Sequence, residues 1–154
     1  LWHELANFLN GEFERFEANG HVFFDGKHLT WDDAGNIYSF SYDTHAYGST
    51  PRKWVRSFRV PAKDMNRVRH SRLQLDMEVG TGLIDGTDLK VMMRYSDDGG
   101  HSWSDERWET AGEIGETTRQ VKWHRFGATK GQPRIYELSG VTACKTTLLD
   151  VYLD

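Results

Sequence analysis

The sequence predicts an all-β, antiparallel fold, and three observations carry that prediction. Glycine-bearing turn signals separate short apolar runs at spacings of about 8–12 residues or fewer, the pattern of a meandering sheet. The composition joins 13% aromatics and 15 Gly to only 3 Pro, which suits strands linked by tight turns. Strict alternation then appears in Arg72-Leu73-Gln74-Leu75-Asp76-Met77-Glu78-Val79, where every odd-numbered residue is apolar. A period of two over that run means a strand with one buried and one wet face. No stretch has a convincing helical period.

Taken in order, Leu1, Leu5, Phe8 and Leu9 fit one helical face, while Trp2 and Gly11 fit a strand equally well. The chain opens on Leu1-Trp2-His3-Glu4 without Met, so a fragment, or a processed or partly ordered chain, is expected. Asn19-Gly20 and Asp25-Gly26 are dipeptides that favour positive φ, and both are expected to turn hairpins around His21–Phe24. His28–Trp31 follows, then a break at Asp32–Asn36, then Ile37–Tyr42. A looser connection from His45 to Pro51 precedes a strand at Lys53–Val60. Polar, proline-bearing Pro61–Asn66 is the best internal boundary, giving segments 1–62 and 63–154. The first is expected to be a propeller-blade-like sheet. The second is expected to be a small β-sandwich or a further blade.

Within the second segment, Gly80–Gly86 reads as a loop, and Lys90–Tyr95 as a strand with Val91, Met93 and Tyr95 on one face. Strands are also expected at Arg107–Thr110, Gln120–Phe126, Arg134–Leu138 and Thr147–Leu153. Formal net charge is −4, from 19 basic and 23 acidic side chains, which argues against a domain built to grip nucleic acid. Basic residues gather locally at Arg52, Lys53, Arg56 and Arg59, and again at Arg67, Arg69, His70 and Arg72, as solvated strand faces or a charge-steered contact. One cysteine, Cys144, forbids an intrachain disulfide and fits a small buried hydrophobe. No apolar run approaches the ~18 residues of a membrane helix, so no membrane partner is expected.

The stretch Tyr95-Ser96-Asp97-Asp98-Gly99-Gly100-His101-Ser102-Trp103 concentrates chemistry-bearing residues. Its Ser96-x-Asp98-x-Gly100-x-Ser102-Trp103 spacing resembles the Asp-box of sialidase-like and other propeller hairpins. A short Asp accepts bonds from its own turn's backbone, Gly supplies conformational freedom, and the Trp covers the hairpin base. Competing chemistry fits poorly. The acids lack the spacing of a helix-loop-helix calcium site. Seven His without an i, i+4 pair make no zinc motif. No Gly-x-Ser-x-Gly elbow accompanies His101. We therefore expect no catalytic residue, metal or cofactor, and a structural turn made by Ser96, Asp98, Gly100, Ser102 and Trp103.

The ordered series Arg72–Val79, Gly80-Thr81-Gly82, Lys90–Ser104, Glu106-Arg107-Trp108, Gly112–Glu116 and Val121–Gly127 resembles one protein family. That family is the packaged-DNA stabilisation, or tail accessory, hub proteins of short-tailed phages, and the likeness is to their carboxyl-terminal half. Trp2-His3-Glu4, Gly35-Asn36-Ile37-Tyr38 and the closing Asp150-Val151-Tyr152-Leu153 extend the likeness over most of the chain, strongest from Arg67 to Gly127. Gly127–Pro133 and Val141–Thr146, with Cys144, depart from the family pattern. The resemblance implies a structural virion protein of the tail, assembled in the host cytoplasm. It implies a homo-oligomeric ring that closes the portal channel, meets portal or adaptor proteins and a tail needle or spike, and retains DNA that passes nearby without specific binding. Aromatic and Arg residues dominate binding hot spots, so His45, Tyr47, Trp54 and Arg56 are the candidate interface residues. Two other classes compete: a carbohydrate-binding sandwich stacking sugars on Trp31, Trp54 or Trp108, and a two-carboxylate fragment of a sialidase-like glycan hydrolase.

Overall fold

The computed structural model describes residues 5–47, 50–62, 66–81 and 88–154. Leu1, the Trp2-His3-Glu4 match and most of the 80–86 loop lie outside the described residues. The chain divides into two compact units, Leu1–Lys53 and Trp54–Asp154. All described regular structure is β, and every strand pairing is antiparallel.

The first unit holds strands β1 (Ala6–Leu9), β2 (Glu12–Arg15), β3 (Gly20–Phe24), β4 (Lys27–Trp31), β5 (Ile37–Ser39), β6 (Ala46–Tyr47) and β7 (Thr50–Pro51). They form a β3-β4-β5 meander and two ribbons, β1-β2 and β6-β7. The amino-terminal run is thus a hairpin rather than a helix. Asn10 (φ 53°) and Gly11 (φ 90°) both take positive φ, which a two-residue turn requires. Asp25 (φ 47°) and Gly26 (φ 73°) turn β3 into β4 in the same way, as expected.

Asn19-Gly20 makes no such turn. The Asn19 N–H continues the ladder by donating to the Trp31 carbonyl at 2.8 Å. Gly20 is needed for space instead, because a Cβ there would come within 2.1 Å of the Trp31 indole. Burial is sparse in this unit, where Thr30 alone among the described residues is fully covered. Aromatic pairs do the packing: Phe8–Phe13 at 5.0 Å, Phe16–Tyr47 at 6.2 Å and Tyr38–Tyr47 at 4.9 Å between ring centroids.

The second unit holds β8 (Trp54–Val60), β9 (Arg69–Met77), β10 (Lys90–Ser96), β11 (Arg107–Thr110), β12 (Val121–Ala128), β13 (Arg134–Gly140) and β14 (Leu148–Leu153). Two sheets, β11-β10-β13-β8 and β12-β9-β14, share one core in a β-sandwich. The expected alternation in β9 is realised, with Leu73, Leu75 and Met77 at 0%, 4% and 6% exposure. Register aligns Trp123 and Leu153 beside Leu73, and Val121 and Val151 beside Leu75. The facing sheet contributes Val91, Met93, Tyr136 and Leu138, with Phe58 and Tyr95 packed against them. Each such side chain contributes about 1.5–3 kcal/mol on full burial.

Alternation in β12 breaks after His124. A register shift between His124 and Gly127, with Arg125 at φ 65°, brings Phe126 into the core at 3% exposure. β8 belongs to this second unit, through pairing with β13 from Trp54↔Gly140 to Val60↔Arg134. The division between units therefore falls ahead of this strand, not at the Pro61–Asn66 boundary expected from polarity. Among the described residues no barrel or propeller closes; the sandwich is the architecture.

Candidate functional site

The polar turn after β10 is organised by three side chains. Ser96, 1% exposed at the end of β10, donates its hydroxyl to Asp98 Oδ1 at 2.7 Å. The same hydroxyl oxygen accepts the N–H of Gly100 at 2.9 Å and of Asp98 at 3.3 Å. The Asp98 carboxylate accepts the Ser102 N–H at 2.9 Å and the Ser102 hydroxyl. Gly99 (φ 76°) and Gly100 (φ 100°) supply the left-handed backbone that lets the chain curl around that carboxylate. Ser104 closes the base, its N–H on the Tyr95 carbonyl at 2.9 Å and its hydroxyl oxygen on the Tyr95 N–H at 3.1 Å.

The electrostatics follow from these bonds. Donation by the Ser102 hydroxyl and N–H, then by the Ser96 hydroxyl, holds the Asp98 carboxyl far below the usual carboxylate range. Three donors of its own turn thus fall on this one carboxylate, two on Oδ1 and one on Oδ2. His101 is exposed and adds only a small coulombic pull in the same direction. Trp103 lies with its ring 3.9 Å from a Cβ placed on Gly100, and the Arg94 guanidinium sits 4.5 Å from the centroid of that ring. Arg94 in turn pairs with Glu137 at 2.6 Å, which ties the indole to β13. Among the described residues no three His, Cys, Asp or Glu side chains gather as a metal set.

Asp97, the neighbouring acid, makes a contact that spacing alone does not suggest. Its carboxylate takes a two-pronged grip from Arg134, Nε to Oδ1 at 2.7 Å and Nη2 to Oδ2 at 2.8 Å. The Arg134 side chain is 1% exposed and the Asp97 side chain 12%. Arg134 also donates to the Phe126 carbonyl at 3.0 Å and the Ala128 carbonyl at 3.3 Å, and its guanidinium lies 4.2 Å over the Tyr95 ring. Buried His70 Nδ1 stands 2.7 Å from the Tyr136 hydroxyl. Burial pushes the Tyr136 phenol up to about 12, and burial followed by the Arg134 charge pushes the His70 imidazole down. Gly127–Pro133, just before Arg134, reads as a departure in sequence, but nothing in spacing announces a buried arginine.

The four candidate interface residues fall two in each unit. His45 and Tyr47 are half-buried in the first unit, where Tyr47 packs on Phe16 and Tyr38 and lies 5.8 Å from the Arg52 guanidinium. Trp54 is half-buried over Gly140, while Arg56 is exposed and donates to the Val55 carbonyl at 3.2 Å. Of the indoles weighed for sugar stacking, Trp31 is 41% and Trp108 50% exposed, each in a different unit. The basic clusters are partly spent locally: Lys53 sits 4.0 Å over Phe8, Arg72 pairs with Asp154, and His70 is buried.

A two-sheet antiparallel sandwich with an internally satisfied acidic turn defines a scaffold class, with its polar groups turned on one another. Residues 53–154 match the model of the family described as Bacteriophage P22 Gp10, beta-sandwich. That is more than half of the chain, and the chain belongs to this family. It is a phage structural protein, a virion component that assembles with other phage proteins. No curated protein matches the chain.

Proposed function

We propose that this chain is the carboxyl-terminal part of a head-to-tail joining protein of a short-tailed phage. In that role it forms a homo-oligomeric ring beneath the portal and adaptor, closes the channel after packaging, retains the DNA and seats a tail needle or spike. The observation that carries this reading is the family match across residues 53–154. The ordered sequence resemblance from Arg67 to Gly127 supports it. The work is mechanical: contact area and fit resist the outward pressure of packed DNA, and no bond is made or broken. Head-to-tail association of one patch with a different patch on the next copy closes such a ring. A net charge of −4 disfavours adhesion of DNA in the channel, which suits a conduit.

On this reading the 96–104 turn is scaffolding that fastens β10 to β11, and His45 and Tyr47 at β6 together with Trp54 and Arg56 on β8 supply contacts to neighbouring subunits. The test is a particle made with this gene product removed. Heads that package DNA and then lose it, together with ring-shaped density beneath the portal only in the unaltered virion, are the expected results. Particles that keep their DNA without the protein would overturn the reading. A monomer that captures a glycan through Trp108 would replace it with the carbohydrate-binding class.

A further inference from the structure

The β3–β4 hairpin brings two imidazoles together across adjacent strands. Register places Phe23 opposite His28 and Thr30 opposite His21, so His21 and His28 are diagonal neighbours on one face. Their facing nitrogens, His21 Nε2 and His28 Nδ1, stand 2.9 Å apart. The ring centroids are 5.1 Å apart with planes within 19°, so the rings meet edge to edge in nearly one plane. Both side chains are exposed, and Phe23 braces the His28 ring at 4.9 Å.

We infer that this pair is a bis-histidine site for a first-row divalent transition ion of the copper(II) or nickel(II) type. Two imidazole ligands at about 2.0–2.1 Å from one ion and at right angles stand about 2.9 Å apart, the separation already present between these nitrogens. Binding turns each ring out of the common plane to aim its lone pair at the ion, since two rings lying in the plane of the ion and both nitrogens would collide at their inner edges. In the free hairpin one nitrogen of the pair donates a proton to the other. On binding, the donor ring moves that proton to its own second nitrogen, so two neutral imidazoles coordinate and no net proton is released. Solvent fills the remaining positions, because no third His, Cys, Asp or Glu joins the pair among the described residues. The tight Asp25-Gly26 turn fixes the two strands beforehand, which raises the effective concentration of the second ligand.

The experiment is titration of the whole chain with nickel(II) or copper(II) chloride, followed by calorimetry and by paramagnetic broadening of the imidazole resonances. His21 and His28 signals should broaden together, ahead of His45, His101 and His124. His21→Ala or His28→Ala should each weaken binding by at least about tenfold, the double variant adding little, since one remaining imidazole no longer chelates. Broadening that begins at another histidine, or a single variant that binds as tightly as the unaltered chain, would overturn the site. Because the broadening is read on the unaltered protein, a variant that fails to fold does not remove the test.

Discussion

At the residue scale, Asp97 and Asp98 are adjacent acids with unlike work. Asp98 gathers the donors of its own turn, whereas Asp97 neutralises a guanidinium 37 residues away. Removing one partner of a buried pair leaves the other charge uncompensated, which costs about 3–5 kcal/mol. Asp97→Ala should therefore lower unfolding free energy in urea by about that amount. Asp97→Ala with Arg134→Met should recover most of it, since an apolar chain of similar length then fills the site. His70 supplies a pH-dependent counterpart. Burial and Arg134 depress its folded pKa below the ordinary 6.5, so the unfolded chain binds the proton more readily. Stability from this group is fully present above the unfolded value and falls as pH drops through 6.5 toward the lower folded pKa. His70→Gln keeps a hydrogen-bonding partner for Tyr136 without titrating. Its urea midpoint should change less between pH 7 and pH 5 than that of the unaltered chain, and an identical change would refute the assignment.

At the element scale, the strands were legible where one face is wet and the other dry. The alternation of Arg72–Val79 foretold that Leu73, Leu75 and Met77 enter the core, while that of Lys90–Tyr95 foretold Val91 and Met93 but not Met92, which is 2% exposed on the other face. Turn chemistry was legible at Asp25-Gly26 and misleading at Asn19-Gly20, since a glycine can serve a neighbouring ring as well as a backbone angle. Register was not legible. It depends on pairings between distant strands, so the Asp97–Arg134 grip and the His21–His28 pair emerge only when the sheets are assembled. The β12 bulge escaped for the same reason: Arg125 gives no local sign that it takes φ 65°. Gly140 repeats the Gly20 device at the β13–β8 pairing, where an added Cβ would stand 2.7 Å from Trp54 Nε1. Gly140→Ala should force the indole aside and cost about 1–3 kcal/mol, as overpacking does. Adding Trp54→Leu should relieve part of that cost, so a double-mutant cycle in urea should show coupling. Strict additivity of the two changes would mean that the contact does not govern this edge.

At the scale of the whole molecule, burial is divided unequally. The hydrophobic core runs from Leu73 to Cys144 with Trp54, Phe58 and Val60 packed against it, all inside Trp54–Asp154. The preceding unit exposes Val22, Phe24, Trp31 and Ile37 at 46%, 67%, 41% and 72%, and register puts these residues on one face of its meander. A chain needs enough buried apolar area to offset the entropy of ordering it, and among the described residues only the second unit has a continuous core. The family match ends on the same side of the division, covering 53–154. Residues 53–154 produced alone should therefore fold cooperatively, with a single urea transition coincident by circular dichroism and Trp fluorescence. Residues 1–53 produced alone should show no such transition, because a few aromatic pairs around Tyr47 cannot replace a core. A sandwich fragment that melts without cooperativity would mean that its stability comes from the first unit, and the assignment of the core to Trp54–Asp154 would fall with it.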